Sequence, residues 1–344
     1  MEFKIVRSES SDFRKPEALK RLCEEEARAG ERPTMSFTDQ LTRCECCPRT
    51  CRVNRLEGET GFCGISSTIR ISHAGLHFGE EPPISGERGS GTIFFAGCNL
   101  RCVFCQNYQI SQEFRRGRTQ TLTTAGLGAE ILRLQDAGAH NINFVSPSHV
   151  VFQMADAILE AKRKGLVVPV VYNSNGYDSV DSLQQIRGLV DIYLPDIKYL
   201  DNELGKQFSA VDDYANIVPG VIVEMLDQVG HLEMDDEGIA VQGLLVRHLV
   251  LPDYLDNSRR CLRFLASLSP DIHVSIMSQY SPQHKACDYP RINRTLTESE
   301  YDDITAYALD LGLENALTQE LESQDHYLPD FDREDPFNVC RHQK

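Results

Sequence analysis

Residues 91–107 read Gly91-Thr92-Ile93-Phe94-Phe95-Ala96-Gly97-Cys98-Asn99-Leu100-Arg101-Cys102-Val103-Phe104-Cys105-Gln106-Asn107. The run from Thr92 to Ala96 is apolar and β-prone, with glycines on both sides, the pattern of a buried strand. Three thiols follow at once, spaced Cys98-x3-Cys102-x2-Cys105. They therefore sit on a loop leaving the C-terminal end of a strand. In barrels and open α/β sheets, that end holds the chemistry. Three thiolates on so short a loop can converge on three corners of a cubane [4Fe–4S] cluster, leaving the fourth iron open to an exchangeable ligand. The competing readings are a zinc ion with a distant fourth ligand, and free thiols. Zinc more often uses C-x2-C twice.

The chain around this motif has 344 residues, 41% hydrophobic and 25% charged, which excludes a disordered chain and permits a sizeable core. The length suits two domains or one larger α/β barrel. With 35 Lys+Arg against 51 Asp+Glu the net charge is −16, which argues against a general nucleic-acid binder. No apolar run approaches the roughly 18 residues of a membrane span. Met1 to Arg7 shows neither the apolar centre nor the cleavage site of a secretory signal. The expectation is a cytoplasmic protein with no nucleic-acid or membrane partner. Twelve cysteines are unusual there, because a reducing compartment disfavours disulfides and clustered thiols point to metal or redox chemistry. Eight of them fall between Cys44 and Cys105. Cys23, Cys261, Cys287 and Cys340 stand alone and read as small hydrophobes.

Beyond the triad, strand-like and helical patterns alternate. Thr123–Ala137 carries a stripe of Leu127, Ile131, Leu132 and Leu134 and stops at Gly138, as a helix does. Strands are expected at 141–145, 167–172, 190–198, 244–250 and 272–277, with helices at 151–164 and 182–188. With residues 91–96 this makes six strands in βα units, hence a parallel sheet. Asp201–Gly205 and the acidic run Met234–Gly238 read as loop insertions, the second solvated. His73, His77, His140, His248 and His273 lie in no motif and read as surface or satisfied histidines.

Ahead of the barrel, Cys44-x2-Cys47-x3-Cys51-x11-Cys63 supplies four thiols, with Cys46 as a fifth. The spacing admits tetrahedral zinc clamping a module too small to bury its own core, a second iron–sulfur cluster able to relay electrons, or free thiols.

The segment Cys98-x3-Cys102-x-Phe104-Cys105 resembles the signature of the radical S-adenosylmethionine (radical SAM) superfamily. The order of the segments from about residue 44 to 335 resembles a branch related to the pyruvate formate-lyase activating enzyme, an activase of glycyl-radical enzymes. The resemblance implies a partial (β/α)6 TIM-like barrel, α/β in class. It implies a [4Fe–4S] cluster on Cys98, Cys102 and Cys105 as the catalytic centre, SAM on the open iron, and a reductant such as flavodoxin or ferredoxin. The implied reaction is reductive cleavage of SAM to a 5′-deoxyadenosyl radical that abstracts hydrogen. In the activases the hydrogen comes from a glycine of a partner protein.

By the same resemblance Phe104 packs near the adenine, and Ser146-Pro147-Ser148-His149 replaces the segment that meets the methionine amino group, without its usual Gly-Gly-Glu. Asn173-Ser174-Asn175-Gly176 fits the strand end that meets ribose and carboxylate. Asp196-Ile197-Lys198 resembles the activases' Asp-x-Lys, and Arg247 the arginine that contacts the methionine or a peptide substrate. Ser278-Gln279-Tyr280 stands where a Leu-Pro-Tyr-His segment ends the last strand, with Ser281 or His284 as substitutes for its histidine. Ser148, Ser174, Asn175, Asp196, Lys198 and Arg247 are thus candidate cofactor contacts. SAM carries a carboxylate that suits Lys198 or the fork of Arg247, and an ammonium that suits Asp196. Structural ion pairs at a barrel rim are the alternative for these three.

The expected organisation is a helical arm at 1–40 (charged, with Glu24-Glu25-Glu26), a cysteine-rich module at 41–88, the barrel at 89–335 and a tail at 336–344. Leu328-Pro329-Asp330-Phe331-Asp332 is expected along the barrel edge. Two other functions remain open: hydrogen abstraction on a small molecule or peptide, and a non-catalytic zinc or iron–sulfur protein.

Overall fold

A computed structural model describes residues 3–5, 37–321 and 328–337. Its centre is a parallel sheet: β3 (Ser90–Phe95), β5 (Ile142–Val145), β6 (Val170–Ser174), β7 (Ile192–Pro195), β9 (Ala240–Leu249), β10 (His273–Met277) and β11 (Ala316–Gln319), hydrogen-bonded in that order. The first six are the expected strands. The seventh, β11, was not anticipated: Ala316-Leu317-Thr318-Gln319 is short and half polar. The path does not close. Beyond β3 lie antiparallel β2 (Ile69–His77) and β4 (Gln120–Leu122), and beyond β11 lies antiparallel β1 (Phe3–Ile5). The architecture is a partial TIM-like barrel.

Helices fill the connections. Thr123 caps the helix Thr124–Asp136 by accepting from Gly126 N–H at 3.0 Å, and Leu127, Ile131 and Leu134 bury its one apolar stripe. Helix Val151–Arg163 ends on Lys162 and Arg163, where positive charge complements the helix dipole.

Strand periodicity sorts side chains to two faces. Val170, Tyr172, Tyr193, Leu244 and Val246 join the main core with the helices. Val171, Ile192, Leu194, Leu245 and Leu317 form a second cluster with Ile84 and Leu232, which is the inner face of the barrel. Toward the C-terminal ends this face becomes polar: Asn173 follows Val171 by two, Asp196 and Lys198 follow Leu194, and Arg247 follows Leu245. Parity thus delivers four polar side chains to one mouth.

Several expectations change. Residues 3–5 are strand rather than helical arm; Glu24 to Glu26 and Cys23 lie outside the described residues, as does Cys340. Residues 41–88 do not form a module apart: β2 pairs directly with β3, and Cys44, Cys46 and Cys63 belong to the main core. Asp201–Gly205 is no loop. Asp201 caps the helix Asn202–Ser209, its carboxylate accepting from Glu203 N–H at 2.9 Å. Met234–Gly238 forms a hairpin turn between β8 (Glu233–Met234) and β9, in which Asp235 Oδ1 accepts from Glu237 and Ile239 N–H. Phe331 packs against Phe94 at 5.3 Å, so residues 328–332 do lie at the barrel edge.

Candidate active site

The loop after β3 is held from three sides. Gly97 has φ +80°, and a Cβ there would stand 2.7 Å from the carbonyl oxygen of Cys63, so only glycine lets the N-terminal segment close on this loop. Val103 N–H donates to Phe208 O at 2.8 Å, and Gln112 Nε2 to Cys102 O at 2.9 Å. The loop therefore presents Cys98, Cys102 and Cys105 as a fixed set. All three line one cavity of about 250 Å³, with Phe104 beside them.

Each sulfur has a polar neighbour. Cys98 Sγ accepts from Leu100 N–H and Asn175 Nδ2, both at 3.4 Å. Cys102 Sγ lies 3.1 Å from Ser209 Oγ, and Cys105 Sγ 3.3 Å from Ser111 Oγ. Burial pushes the Cys98 thiol up to about 11 and Cys105 up to about 12, with neighbouring cysteine charges adding to the rise. Three thiols in so dry a place ionise together only with a cationic partner. Yet no three His, Cys, Asp or Glu among the described residues are placed to hold one metal ion.

The opposite wall is charged. Arg247 Nε donates to Glu81 Oε1 at 2.8 Å, its Nη2 contacts Glu80 and Glu81, and its Nη1 reaches Asn173 Oδ1 at 3.3 Å. Asn143 Nδ2 donates to Glu80 Oε1 at 3.0 Å. Burial opposes ionisation of Glu80, but Arg247, His77 and the Asn143 hydrogen bond together outweigh it and hold the carboxyl below its ordinary range. Two carboxylates on one guanidinium leave this wall acidic. Lys198 Nζ pairs with Asp196; burial alone would lower the ammonium's pKa, and Asp196 with the cysteine sulfurs raises it instead.

The candidate contacts separate on this geometry. Phe104, Ser174, Asn175, Asp196, Lys198 and Arg247 line the cavity. Ser148 does not: it is buried behind the wall, beside Tyr172 and Asp178, and Ser146, at φ +57°, lines the wall instead. Arg247 has both edges of its fork engaged, so it is not the free carboxylate clamp that the resemblance implied. Ser174 Oγ already donates to Asp178 at 2.6 Å. Ser281 and His284 do not replace the missing histidine, since neither lines the cavity and His284 stacks on Tyr108 at 4.8 Å. Gln279, beside them, does line it. His248 is satisfied as expected, bonded to Ile197 O at 2.7 Å and Ser258 Oγ at 2.8 Å. His77 departs from expectation: it lines the cavity, 4.2 Å from the Phe337 ring.

Glu80 and Glu81 are the residues that sequence reasoning missed. Their signal was an adjacent acid pair, Gly79-Glu80-Glu81-Pro82-Pro83, directly after the apolar strand β2.

In the N-terminal segment Cys44, Cys47, Cys51 and Cys63 line one small cavity, with Cys46 among them. The hairpin-like turn is tied by Cys44 N–H to Val53 O at 3.0 Å and Arg52 N–H to Cys44 O at 2.9 Å. Gly61 packs so closely that a Cβ there would stand 2.6 Å from Cys51 Sγ. Asn99, from the triad loop, forms part of the same wall.

Residues 92–225 match the model of the radical SAM superfamily. An uncharacterized protein of Methanocaldococcus jannaschii is 34% identical over 268 residues, covering 75% of this chain and 72% of that one. The pyruvate formate-lyase-activating enzyme of Clostridium pasteurianum is 24% identical over 203 residues, covering 56% of this chain and 74% of its own. Among solved structures, a domain of the pyruvate-formate lyase-activating enzyme from Bacteroides vulgatus superposes with a TM-score of 0.37 at 13% identity, over 50% of this chain and 92% of that one. The chain belongs to the radical SAM superfamily. It is an enzyme of the family that works with a [4Fe–4S] cluster and S-adenosylmethionine. No helix among the described residues is long and apolar enough to cross a membrane.

Proposed function

We propose that Cys98, Cys102 and Cys105 hold the [4Fe–4S] cluster, that SAM occupies the cavity beside them, and that the substrate is a glycine of a partner protein. When bound, the reduced cluster supplies one electron that cleaves SAM to methionine and a 5′-deoxyadenosyl radical, which takes a hydrogen atom from the substrate. The chain's own residues bind and orient. The acidic wall of Glu80 and Glu81 favours the ammonium and sulfonium side of SAM. Lys198, paired with Asp196, and Arg247, paired with Glu80 and Glu81, are the cations on the wall that its carboxylate would meet. Asn175 and Ser174 stand at the β6 end of the cavity, Asn175 holding the triad loop and Ser174 bonded to Asp178, and Phe104, packed on Tyr280 at 5.7 Å, offers an apolar face to the adenine. Asn175 and the Ser111 and Ser209 hydroxyls donate to the sulfurs, which tunes a cluster's potential.

The observation that carries the reading is convergence of the three thiols on one 250 Å³ cavity at the C-terminal end of a parallel sheet. The glycine substrate rests on likeness to an activating enzyme and on Asp196-Ile197-Lys198 at the mouth. The test is anaerobic incubation with SAM, dithionite and candidate glycyl-radical proteins. We expect 5′-deoxyadenosine, its loss in Cys102→Ala, and a glycyl EPR doublet in the partner. Persistent product in Cys102→Ala would overturn the cluster assignment. Product formed with a peptide or small molecule but never with a glycyl-radical protein would overturn the substrate.

A further inference from the structure

We infer that Cys44, Cys47, Cys51 and Cys63 hold a second [4Fe–4S] cluster, packed against the back of the triad loop. Thiols alone do not make the case; the charges around them do. Arg55 is fully buried, at 0% exposure. Its guanidinium donates to Ser66 O at 2.9 and 2.6 Å and to His149 O at 2.7 Å, and it reaches Cys46 Sγ at 3.6 Å and Cys44 Sγ at 3.9 Å. Among the described residues it has no carboxylate partner. Apart from backbone carbonyls, the groups its guanidinium reaches are the sulfurs of Cys46 and Cys44. A buried cation with no counter-ion is costly by several kcal/mol, so native proteins pair it. Here the counter-charge can come only from sulfur.

Arg101 repeats the pattern between the two cysteine sets. It donates to the carbonyls of Cys98, Leu100 and Phe62, and so ties the triad loop to the residue before Cys63. Arg49 lies 3.8 Å from the Phe62 ring centroid and donates to Asn99 O and Ala210 O. Neither has a carboxylate partner among the described residues. Three guanidiniums placed this way neutralise an all-thiolate metal centre.

The second independent sign is His149. It is 2% exposed and lines the cavity of the four cysteines. Its Nε2 bonds to Ala96 O at 2.9 Å, while its buried Nδ1 has no well-formed hydrogen bond beyond the Ser146 backbone beside it. A buried polar atom so weakly satisfied beside a thiol-lined cavity is one that an occupant of the cavity would complete.

Zinc is the less suitable occupant. A single ion needs its ligands gathered at about 2.0–2.3 Å, and no three such side chains among the described residues are so placed. The triad fails the same criterion, and there the family supplies a cluster. Cys46 is the fifth thiol, its sulfur 3.8 Å from that of Cys44 and 3.6 Å from Arg55 Nη1.

The test uses the full chain with Cys98, Cys102 and Cys105 all replaced by alanine, reconstituted anaerobically with ferrous iron and sulfide. We expect about four irons and four sulfides per chain and an S = 1/2 EPR signal after dithionite. Adding Cys47→Ala and Cys63→Ala should remove both. One zinc without iron, or no metal in a chain with wild-type circular dichroism, overturns the inference. If the triad variant does not fold, wild-type iron decides: about eight per chain supports the second cluster and about four overturns it. Four irons whose EPR signal changes on adding SAM would leave the triad reading standing while this one fails. In Arg55→Gln we expect the potential of the second cluster to fall, because a nearby positive charge favours the reduced state.

Discussion

The Asn175 side-chain amide donates to two groups on the triad loop: the sulfur of Cys98 at 3.4 Å and Oδ1 of Asn99 at 2.8 Å. Its own Oδ1 accepts from Tyr177 N–H at 3.0 Å, which fixes the amide's orientation. One residue at the end of β6 therefore both orients the triad loop and places a dipole on a cluster sulfur. Asn175→Ala removes both contacts. Losing one hydrogen bond worth about 1–1.5 kcal/mol corresponds to a rate about tenfold lower. We expect that loss in SAM cleavage, together with a lower cluster potential in redox titration; an unchanged potential would show that the amide acts on position alone.

Arg247 and its two glutamates form a buried charge set. Removing one member leaves a stranded charge. Arg247→Met should destabilise the fold by about 3–5 kcal/mol, read as a shift of the urea midpoint. Adding Glu80→Gln and Glu81→Gln should recover a large part of that loss. A triple variant no more stable than Arg247→Met would mean that packing, not charge, dominates here.

His248 gives a pH signature. It is fully buried, and burial lowers its pKa to about 4 despite the hydrogen bond to Ile197 O. Its unfolded value is near 6.5. Between those two values the unfolded chain binds the extra proton, so stability rises with pH. The contribution is complete above about pH 6.5 and is lost as pH falls toward 4. Denaturation midpoints from pH 7.5 down to pH 5 should fall in wild type, by up to about 1.4 kcal/mol per pH unit from this group, and fall less steeply in His248→Asn. Equal slopes would refute the assignment.

Gly176 is the tightest backbone approach at the mouth. At φ +77° a Cβ would stand 2.1 Å from the carbonyl oxygen of Asp196. Gly176→Ala adds a backbone penalty to an overlap that cannot relax without moving the Asp196–Lys198 segment. We expect about 2–4 kcal/mol of destabilisation. SAM affinity, measured by isothermal titration, should weaken even in the fraction that remains folded.

The legible part of the molecule was what short-range pattern encodes. Thr92–Ala96 is apolar without a break because β3 is buried on both faces, and the triad's spacing lies within eight residues. The parallel sheet followed from alternation of strands with helices. What escaped reading depended on long-range pairing. Ala316–Gln319 joins the sheet only because β10 offers a free edge, and its own composition does not say strand. Arg247 looked like a ligand clamp because Glu80 and Glu81 are 166 residues or more away in sequence. The boundary at residue 88 failed for the same reason, since β2 pairs with a strand on the far side of it.

Gly97 and Arg101 join two cysteine sets that the sequence keeps 35 residues apart, from Cys63 to Cys98. One permits the carbonyl of Cys63 to approach, and the other binds the carbonyls of Phe62 and Cys98 at once. Whatever tightens either loop also restricts its neighbour. Were both sets filled, assembly would obey thermodynamic reciprocity: by whatever factor filling one changes the affinity of the other, filling the other changes the first.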